Sequence, residues 1–414
     1  MIMKWFKIAW RNVIRNKRRS LVAIWTVAMV SSSILLAYGF VNSTFWGLTH
    51  TIVQGGTGNM HVADNRFWTD FEDSTLEFGL KNQRAENIIA KLEKSKQVRQ
   101  AMKRLSFSGV ISKDEVSTVF QGTGIEVKKE QRLYRENIFI NFSNDDEVKD
   151  NNFQVILAID LARKLKAKDG DTVTLLSTTV DGGINAIDAT MVGTYDTGVP
   201  ELNAIELKAP MALVQELLLT DKVSRIVVQL RDVEATRIEL AHINEIIKSK
   251  QEKVPLGTRT WYELKPYFES VKTIYYSIFL VMGSIILMVA LLSVTNVMAT
   301  AVNERIPEVG TLVAFGISNW QVRLNFIFEG LIVSFFGSII GITIGFIMAI
   351  IINKLGFMMP PPPGRSTPYP LLFLPTLNSA IIILAISCFL GMIASYIPIN
   401  KTLKKKVVEL INHV

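Results

Sequence analysis

The sequence has few of the residues that build disulfide scaffolds and catalytic centres. It contains one cysteine, Cys388, and four histidines in 414 residues, and charged residues make up 20% of the chain. A lone cysteine cannot close an intrachain disulfide. The patterns H-E-x-x-H, G-x-x-x-x-G-K-[ST], G-x-S-x-G and G-x-G-x-x-G are all missing. The sequence therefore predicts no catalytic residues, no metal site and no cofactor bound by this chain.

Apolar residues are abundant instead. They make up 49% of the chain, whose mean hydropathy is +0.28. Residues 41–272 contain 30 Lys and Arg against 33 Asp and Glu, whereas the remaining residues contain 15 against 4. Because the basic excess flanks apolar runs, it predicts contact with membrane lipid and no nucleic-acid partner.

Four apolar runs are long enough to cross a bilayer, which takes about 20 residues. We predict a membrane α-helical protein with four transmembrane helices and a large extracytoplasmic α+β domain inserted between helices 1 and 2. The predicted segments are a cytoplasmic amphipathic helix at 1–20, the first span at 21–43, the α+β domain at 44–272, the second span at 273–302, a cytoplasmic loop at 303–324, the third span at 325–353, an outer Pro-rich loop at 354–376, the fourth span at 377–399 and a cytoplasmic tail at 400–414.

The distribution of lysine and arginine predicts the orientation of the spans. Residues 1–20 carry seven basic side chains and no acid, and the tail is basic too. Since an even number of spans leaves both ends on one side, we predict that both termini are cytoplasmic. A cleaved signal peptide is the alternative for residues 21–40, but the run is longer than the usual 7–15 apolar residues.

Residues 4–19 place apolar side chains near helical spacing between cations, among them Trp5, Ile8 and Val13. This pattern predicts a helix that lies in the headgroup layer of the membrane. The alternative is a block of charge that only sets orientation.

The region between the first two spans mixes short strands with helices, without a regular βαβ period. Helices near 84–95 and 233–250, and strands near 58–63, 116–127, 155–159, 173–176, 189–195 and 224–230, predict a pair of small α+β lobes.

The loop at 303–324 carries the signals of a short capped helix. Pro307 stands near a first helical position, Glu308 in the first turn and Gly316 beyond the end. Such a helix between two spans is a candidate contact for a cytosolic partner, and the alternative is a connector without one.

Small and polar residues within the spans predict packing contacts. Gly337, Gly341 and Gly345 recur at four-residue spacing, which favours close helix packing inside the chain over a dimer seam. Polar side chains in a span face another helix, or they bond the carbonyl four residues earlier. The polar residues in question are Ser31, Ser32 and Ser33 in the first span and Asn296 in the second.

The outer loop contains four successive prolines within Met358–Gly364. These predict a stiff polyproline II segment, and recognition by a partner is the alternative.

Three stretches together carry a family pattern. The first is the opening Ala9-Trp10-Arg11-Asn12, which continues to Arg19, and the second is Leu161-Ala162 followed by Gly170-Asp171. The third stretch is the cytoplasmic loop from Glu304 to Gly316, continued at Glu329-Gly330. Pro307 and Val313 stand there at positions that are basic in the pattern. Its matching residues are Glu304, Arg305, Glu308, Gly310, Ala314, Gly316 and Glu329-Gly330. With this topology, the chain resembles the FtsX-like permeases of ABC transporters, which include MacB-type exporters and lipoprotein-releasing permeases, and among them the LolC/LolE-like permeases.

The resemblance implies a MacB-like periplasmic domain and a permease subunit of the bacterial inner membrane that works by mechanotransmission. It also implies a second permease copy or paralogue, with Ser31–Ser33 and Asn296 as a candidate seam between the two. Two copies of a separate ATPase would bind ATP–Mg and dock on the cytoplasmic loop. The implied docking residues are Glu304, Arg305, Glu308, Gly310, Phe315 and Gly316.

Within this family, lipoprotein release with a periplasmic lipoprotein carrier is the first expectation. The alternatives are MacB-type efflux of peptides or small molecules with a periplasmic adaptor, and an FtsX-like regulator of an extracytoplasmic hydrolase.

Overall fold

The structure is a computed structural model that describes residues 2–68, 78–135, 153–247, 256–360 and 369–405. The chain divides into two compact units. We call Met1–Phe45, Ser270–Met358 and Pro370–Val414 the helical unit, and Trp46–Glu269 with Met359–Tyr369 the sheet unit.

The elements follow one another as helices at both ends of the chain and mixed structure between them. The helices are α1 (Ile2–Arg15), α2 (Lys17–Ile52), α3 (Asn82–Leu92), α4 (Val127–Arg135), α5 (Ile159–Lys164), α6 (Pro200–Asn203), α7 (Met211–Leu218), α8 (Thr236–Ile247), α9 (Trp261–Leu264), α10 (Tyr267–Asn303), α11 (Ile306–Ala314), α12 (Asn319–Leu355) and α13 (Leu377–Thr402). The strands are β1 (Met60–Asp64), β2 (Leu80–Lys81), β3 (Val98–Lys113), β4 (Val116–Ile125), β5 (Gln154–Ala158), β6 (Thr172–Thr178), β7 (Ile184–Tyr195), β8 (Glu206–Pro210), β9 (Lys222–Val223), β10 (Arg225–Leu230), β11 (Leu256–Thr260), β12 (Met358–Met359) and β13 (Tyr369–Pro370).

Within the described residues, four helices are long and apolar enough to cross a membrane. They are α2 with its continuation to Thr57, α10, α12 and α13. The α+β domain is inserted between the first and second of them. The predicted fold class is therefore confirmed.

The helix ends differ from the predicted segment boundaries. The chain leaves α1 at Arg15 and enters α2 at Lys17, so residues 17–20 belong to the first long helix and not to the predicted amphipathic segment 1–20. The third long helix starts at Asn319 and not near 325, because Ser318 and Gln321 form a capping box there. In the outer loop, Pro361–Gly364 lie outside the described residues, as do residues 406–414 of the tail.

Among the described residues of the sheet unit, nine strands form one sheet, whose last six strands close into a ring. The order is β11-β1-β10-β3-β4-β8-β5-β7-β6, and β6 pairs back with β3. The β4–β8 and β5–β7 pairs are parallel. A buried apolar cluster that includes Leu105, Phe107, Phe120, Leu157 and Leu175 fills this part of the unit.

The long strand β3 is shared by both ends of this sheet. Its first half pairs with β10, its second half pairs with β4, and its residues 109–112 also pair with β6. A side chain at Gly109 would overlap the backbone of β6 at Leu176, so glycine permits this approach. A second apolar cluster, with Ile88 and Leu92 of α3 and Ile243 of α8, covers the sheet near β1 and β10.

The sequence did not predict β3, because Lys103 and Arg104 interrupt its apolar pattern. Both charges are buried and paired. Lys103 Nζ lies 3.1 Å from Glu86 Oε1, and Arg104 Nη2 lies 2.6 Å from Glu130 Oε1. These partners come from α3 and α4, so they could not be assigned before the fold was known. The predicted α+β domain is confirmed, and its two apolar clusters lie along one continuous sheet.

Candidate functional site

The short helix α11 lies between the second and third long helices of the helical unit. Pro307 lies in its first turn, where the missing N–H costs nothing, and Glu308 lies beside it at the positive end of the helix. The chain leaves the helix through Gly316, whose φ of 86° suits glycine. The predicted capped helix is therefore confirmed.

One face of α11 is exposed. Pro307, Glu308 and Thr311 lie on it, and the aromatic ring of Phe315 follows directly after the helix. Phe315 is 81% exposed, and Trp320 at the start of α12 is 57% exposed. We call these five residues the docking face. Exposed aromatic side chains at a helix end are typical anchors of a protein interface.

Two of the predicted docking residues point away from this face. Gly310 is buried beside Ile306 and Val309. The side chain of Arg305 is 12% exposed and turns toward α12. Both residues are therefore removed from the predicted contact surface, because the face of α11 that carries them packs on the helical unit. Glu304, Glu308, Phe315 and Gly316 are exposed.

Beneath α11, the carboxylate of Glu329 is the centre of a buried hydrogen-bond network. Asn12 Nδ2 of α1 donates to Glu329 Oε1 at 2.7 Å. Arg305 Nη1 donates to both oxygens of the carboxylate, at 2.9 and 3.1 Å. Asn325 Nδ2, one helical turn earlier on α12, donates at 3.3 Å. We call these four residues the Glu329 network; it joins α1, the start of α11, and α12.

Further ion pairs surround this network. Arg305 Nε also donates to Glu308 Oε2 at 3.0 Å, Arg15 lies 3.6 Å from Glu308, and Arg19 pairs with Glu304. A hydrogen bond from Arg19 lowers the pKa of Glu304. Burial alone would lower the pKa of Arg305, but the Glu329 carboxylate outweighs burial and raises it. Arg305 therefore stays charged, and Glu329 is its buried counter-ion.

The predicted glycine stripe faces α2. A side chain at Gly337 would lie 2.8 Å from the Ile24 carbonyl oxygen, and one at Gly341 would overlap the backbone of Ala28. A side chain at Gly345 would lie 2.9 Å from Leu35 Cδ2. The three glycines thus let α12 and α2 approach within one chain.

The polar residues of the predicted seam are placed differently from one another. Ser31 and Ser32 are buried, and Ser31 Oγ lies 3.2 Å from Ser387 Oγ of α13. Ser33 and Asn296 are exposed. Ser31 and Ser32 therefore serve packing inside the chain, and only Ser33 and Asn296 present a surface that another chain could reach.

At the opposite end of α12 from α11, the extended segment 371–376 is held by amide side chains. Asn353 Nδ2 donates to the Phe373 carbonyl at 2.9 Å, and Asn353 Oδ1 accepts from the Phe373 N–H at 2.8 Å. Asn42 Nδ2 of α2 donates to the Leu374 carbonyl at 3.0 Å. These contacts satisfy backbone groups that no helix or strand pairs.

Residues 280–407 match the family model of the FtsX-like permease C-terminal domain. The chain contains an FtsX-like permease domain. This domain takes in most of α10 and all of α11, α12 and α13.

Curated relatives are similar to other parts of the chain as well. It is 22% identical over 403 residues to the macrolide export ATP-binding/permease protein MacB of Campylobacter jejuni, and the match covers 95% of this chain and 59% of that protein. It is 24% identical over 280 residues to the lipoprotein-releasing system transmembrane protein LolC of Neisseria meningitidis, covering 63% of this chain and 65% of LolC. The chain thus spans about three fifths of the length of the MacB relative.

The solved structures that are similar to this chain include isolated extracytoplasmic regions. The periplasmic region of MacB from Actinobacillus actinomycetemcomitans is 15% identical, with a TM-score of 0.37, and the match covers 52% of this chain and 95% of that one. The extracellular domain of the transporter YknZ from Gram-positive bacteria is 16% identical, with a TM-score of 0.30, covering 44% and 88%.

The sequence analysis assigned a role to one residue of the Glu329 network, Arg305, and missed Asn12, Asn325 and Glu329. Asn12 and Glu329 lie in stretches that carried the family pattern. Arg305, Asn325 and Glu329 fall inside the FtsX-like domain, whereas Asn12 lies outside it. The signal was available in the sequence, because Glu329 is the one acid within the third apolar run. A lone carboxylate in such a run needs a partner, and 317 residues separate it from Asn12.

Proposed function

We propose that this chain is the membrane-spanning permease subunit of an ATP-driven transporter, and that a separate ATPase subunit binds the docking face of α11. The observation that carries the proposal is the exposed Phe315 on a capped helix of an FtsX-like domain. The name of the MacB relative, an ATP-binding/permease protein, supports an ATPase as the partner. In this proposal α11 and both chain termini are cytoplasmic, because their flanks are basic.

The assembly in this proposal contains two ATPase copies and a second permease, identical or related. ATP–Mg bound between the ATPases changes their spacing and displaces α11. The long helices carry the displacement to the sheet unit, where the substrate is moved. This mechanotransmission agrees with the apolar composition of the long helices, which offer few polar groups to line a hydrated pore.

Two substrate classes remain candidates. Export of the MacB type has the support of a similarity that covers 95% of the chain. Lipoprotein release, which the sequence predicted first, has the support of the similarity to LolC over 63% of the chain. The first requires a periplasmic adaptor as partner, and the second requires a lipoprotein carrier.

The docking face can be tested with Phe315→Ala in the full-length chain in nanodiscs. We expect affinity for an ABC ATPase subunit encoded in the same genome to fall about 30-fold, because a central aromatic anchor contributes about 2 kcal/mol. The matched control is Phe357→Ala, which removes a ring that is also exposed but lies beyond the other end of α12. An unchanged affinity in Phe315→Ala would contradict the assignment of the docking face.

The substrate is tested by reconstituting the permease with that ATPase in proteoliposomes. ATP-dependent release of a membrane-anchored lipoprotein to its soluble carrier supports lipoprotein release, and ATP-dependent extrusion of a macrolide supports export of the MacB type. If ATP drives neither and a bound hydrolase becomes active instead, the chain is a regulator and the transport proposal fails.

A further inference from the structure

The Glu329 network is the polar contact between the docking helix and the rest of the helical unit. Glu329 is 6% exposed and accepts hydrogen bonds from α1, from Arg305 at the start of α11, and from its own helix. The guanidinium of Arg305 also lies 5.0 Å from the centre of the Phe326 ring, so it is held between a carboxylate and an aromatic face.

The remainder of α11 is held by apolar contacts. Val309 packs in a cluster with Val322 and Phe326 of α12 and with Ile399 of α13. These contacts reach α10, α12 and α13 but not α1, which packs on α12 through Phe6 against Phe328 and through Trp10 against Phe336. The described hydrogen bonds and ion pairs that connect α11 and its N-terminal flank to α1 and the start of α2 run through Arg305 with Glu329, or through the pairs Arg15–Glu308 and Arg19–Glu304.

Burial distinguishes these connections. Arg15, Glu308 and Glu304 have side chains that are more than half exposed, so solvent screens the Arg15–Glu308 pair and, less completely, the pair of Glu304 with the 26% exposed Arg19. Glu329 is buried and the Arg305 side chain is only 12% exposed, and their hydrogen bonds are directional. Removing one partner leaves the other charge desolvated, which is the situation in which a buried pair is most sensitive to substitution.

We propose that Glu329 is a positioning residue that makes α1, α11 and α12 move as one body when the ATPase displaces α11. The proposal rests on the proposed function and assigns α1 a part in it: the N-terminal helix is carried along with the docking helix and does not act as a passive membrane anchor. Glu329 lies outside the docking face, so its role is in transmission and not in ATPase binding.

The first experiment compares binding with coupling in Glu329→Gln, which keeps the shape of the side chain and removes its charge. In nanodiscs with the ATPase subunit, we expect an affinity within two-fold of the wild type and permease-stimulated ATP hydrolysis reduced at least ten-fold. Lys354→Gln, which removes one charge at the far end of the same helix, is the matched control and should leave both unchanged. Full stimulation in Glu329→Gln would overturn the proposal.

Charge exchange provides a second readout that a merely structural role would not give. Arg305→Glu and Glu329→Arg should each abolish stimulation, and the double variant should recover at least a quarter of it. If Glu329→Gln fails to fold, Arg305→Lys takes its place, since it keeps the charge but loses the planar guanidinium. Failure of the double variant to exceed the better single variant would count against the proposal.

The link can also be measured in the chain without its ATPase, which separates failure of this proposal from failure of the proposed function. Hydrogen exchange of the permease in nanodiscs should be faster in α1 and in α11 together when Glu329 is replaced by glutamine. An increase confined to α11 would overturn the link to α1. If the wild type binds no ATPase, the proposed function fails, while this measurement still decides whether the three helices form one body.

Discussion

The helical unit and the sheet unit differ in how their closest contacts are made. In the helical unit, α12 meets α2 through Gly341, and it meets α13 where Gly330 and Gly391 leave room for serine hydroxyls. In the sheet unit, buried charges pair across elements, as Arg104 does with Glu130. Lipid offers no hydrophobic gain on helix association, so space for close contact decides packing there. In the sheet unit, a buried charge is tolerated because it forms an ion pair with an opposite charge from another element.

The same contrast separates the two ends of α12. At one end a charged carboxylate, Glu329, joins helices through Arg305 and Asn12. At the other end a neutral amide, Asn353, holds an extended segment through two backbone hydrogen bonds. The charged end is therefore sensitive to neutralisation, and the amide end is sensitive to loss of hydrogen-bonding groups.

The largest effect is expected in the sheet unit, from Glu130→Ala. It leaves Arg104 and Lys208 buried without this carboxylate, and we expect a loss of about 3–5 kcal/mol in the free energy of unfolding. Urea unfolding of the full chain in detergent, followed by hydrogen exchange in β3 and β8, measures it. The control is Arg163→Ala, which removes a largely exposed pair with Asp160 and should cost about 0–1 kcal/mol. Equal losses in the two variants would show that burial does not decide the value of a pair here.

Gly341→Ala tests the corresponding claim for the helical unit. The added methyl group would overlap the Ala28 backbone, so α12 and α2 must separate, at a cost of about 1–3 kcal/mol. Thermal unfolding in detergent measures the change. Gly283→Ala on α10 adds the same methyl group where no atom lies within 4 Å, and it should be neutral or slightly stabilising. If both variants unfold alike, the glycine stripe has no packing role.

Asn353→Leu addresses the amide end of α12. It leaves the N–H and the carbonyl of Phe373 without their partner, and we expect a loss of about 2 kcal/mol. Asn42→Leu removes a single hydrogen bond to the same segment and should cost about half as much. The ratio of the two losses, from thermal unfolding, is the measurement. A larger loss in Asn42→Leu would contradict the assignment of Asn353 as the main contact of segment 371–376.

The sequence predicted those features that depend on neighbouring residues. Four long apolar runs specify four long helices, and Pro307 with Gly316 specifies a short capped helix. The register of Gly337, Gly341 and Gly345 was visible as well, but nothing local indicates that α2 is the helix they face. Contacts between residues that are distant in the sequence could not be predicted, because no sequence periodicity relates such residues.

The Glu329 network and the closed ring of strands are such features. Asn12 and Glu329 are brought together by two helix packings that neither stretch encodes alone. Similarly, β3 and β6 pair although β4, α4, β5 and α5 lie between them in the chain, and Gly109 is the local residue that permits it. The strand β3 itself was not predicted because of Lys103 and Arg104. Two adjacent charged residues indicate an exposed segment as long as their buried partners are unknown.

The smallest expected effect is a pH dependence of the stability of the sheet unit. It concerns a buried ionisable group, His61, that is held neutral, in contrast to the buried charges of that unit that are paired. Burial lowers the pKa of His61 on β1 well below its usual value of 6.5, and the nearby Arg225 adds to this. Below about pH 6.5, His61 is therefore protonated in the unfolded chain and remains neutral in the folded chain. The contribution of neutral His61 to the free energy of unfolding is complete above this pH and decreases as the pH falls below it.

His61→Gln should flatten the decline in stability between pH 7 and pH 5. Urea midpoints of the full chain at both pH values, read by hydrogen exchange in β1, measure the slope. His242→Gln changes an exposed histidine on α8 and is the control. If the urea midpoint of His61→Gln falls with pH as steeply as that of the wild type, His61 does not cause the decline in stability, and other groups such as buried carboxylates do.

The return of β6 to β3 has a consequence for association with other proteins. A strand can accept a foreign strand only along a side that lacks a neighbour. Within the nine-stranded sheet, over the described residues, β11 alone has a neighbour on one side only. Among the described strands, addition of a foreign strand along a whole free side is therefore expected at β11, because the closure of the ring gives β6 a second neighbour in β3.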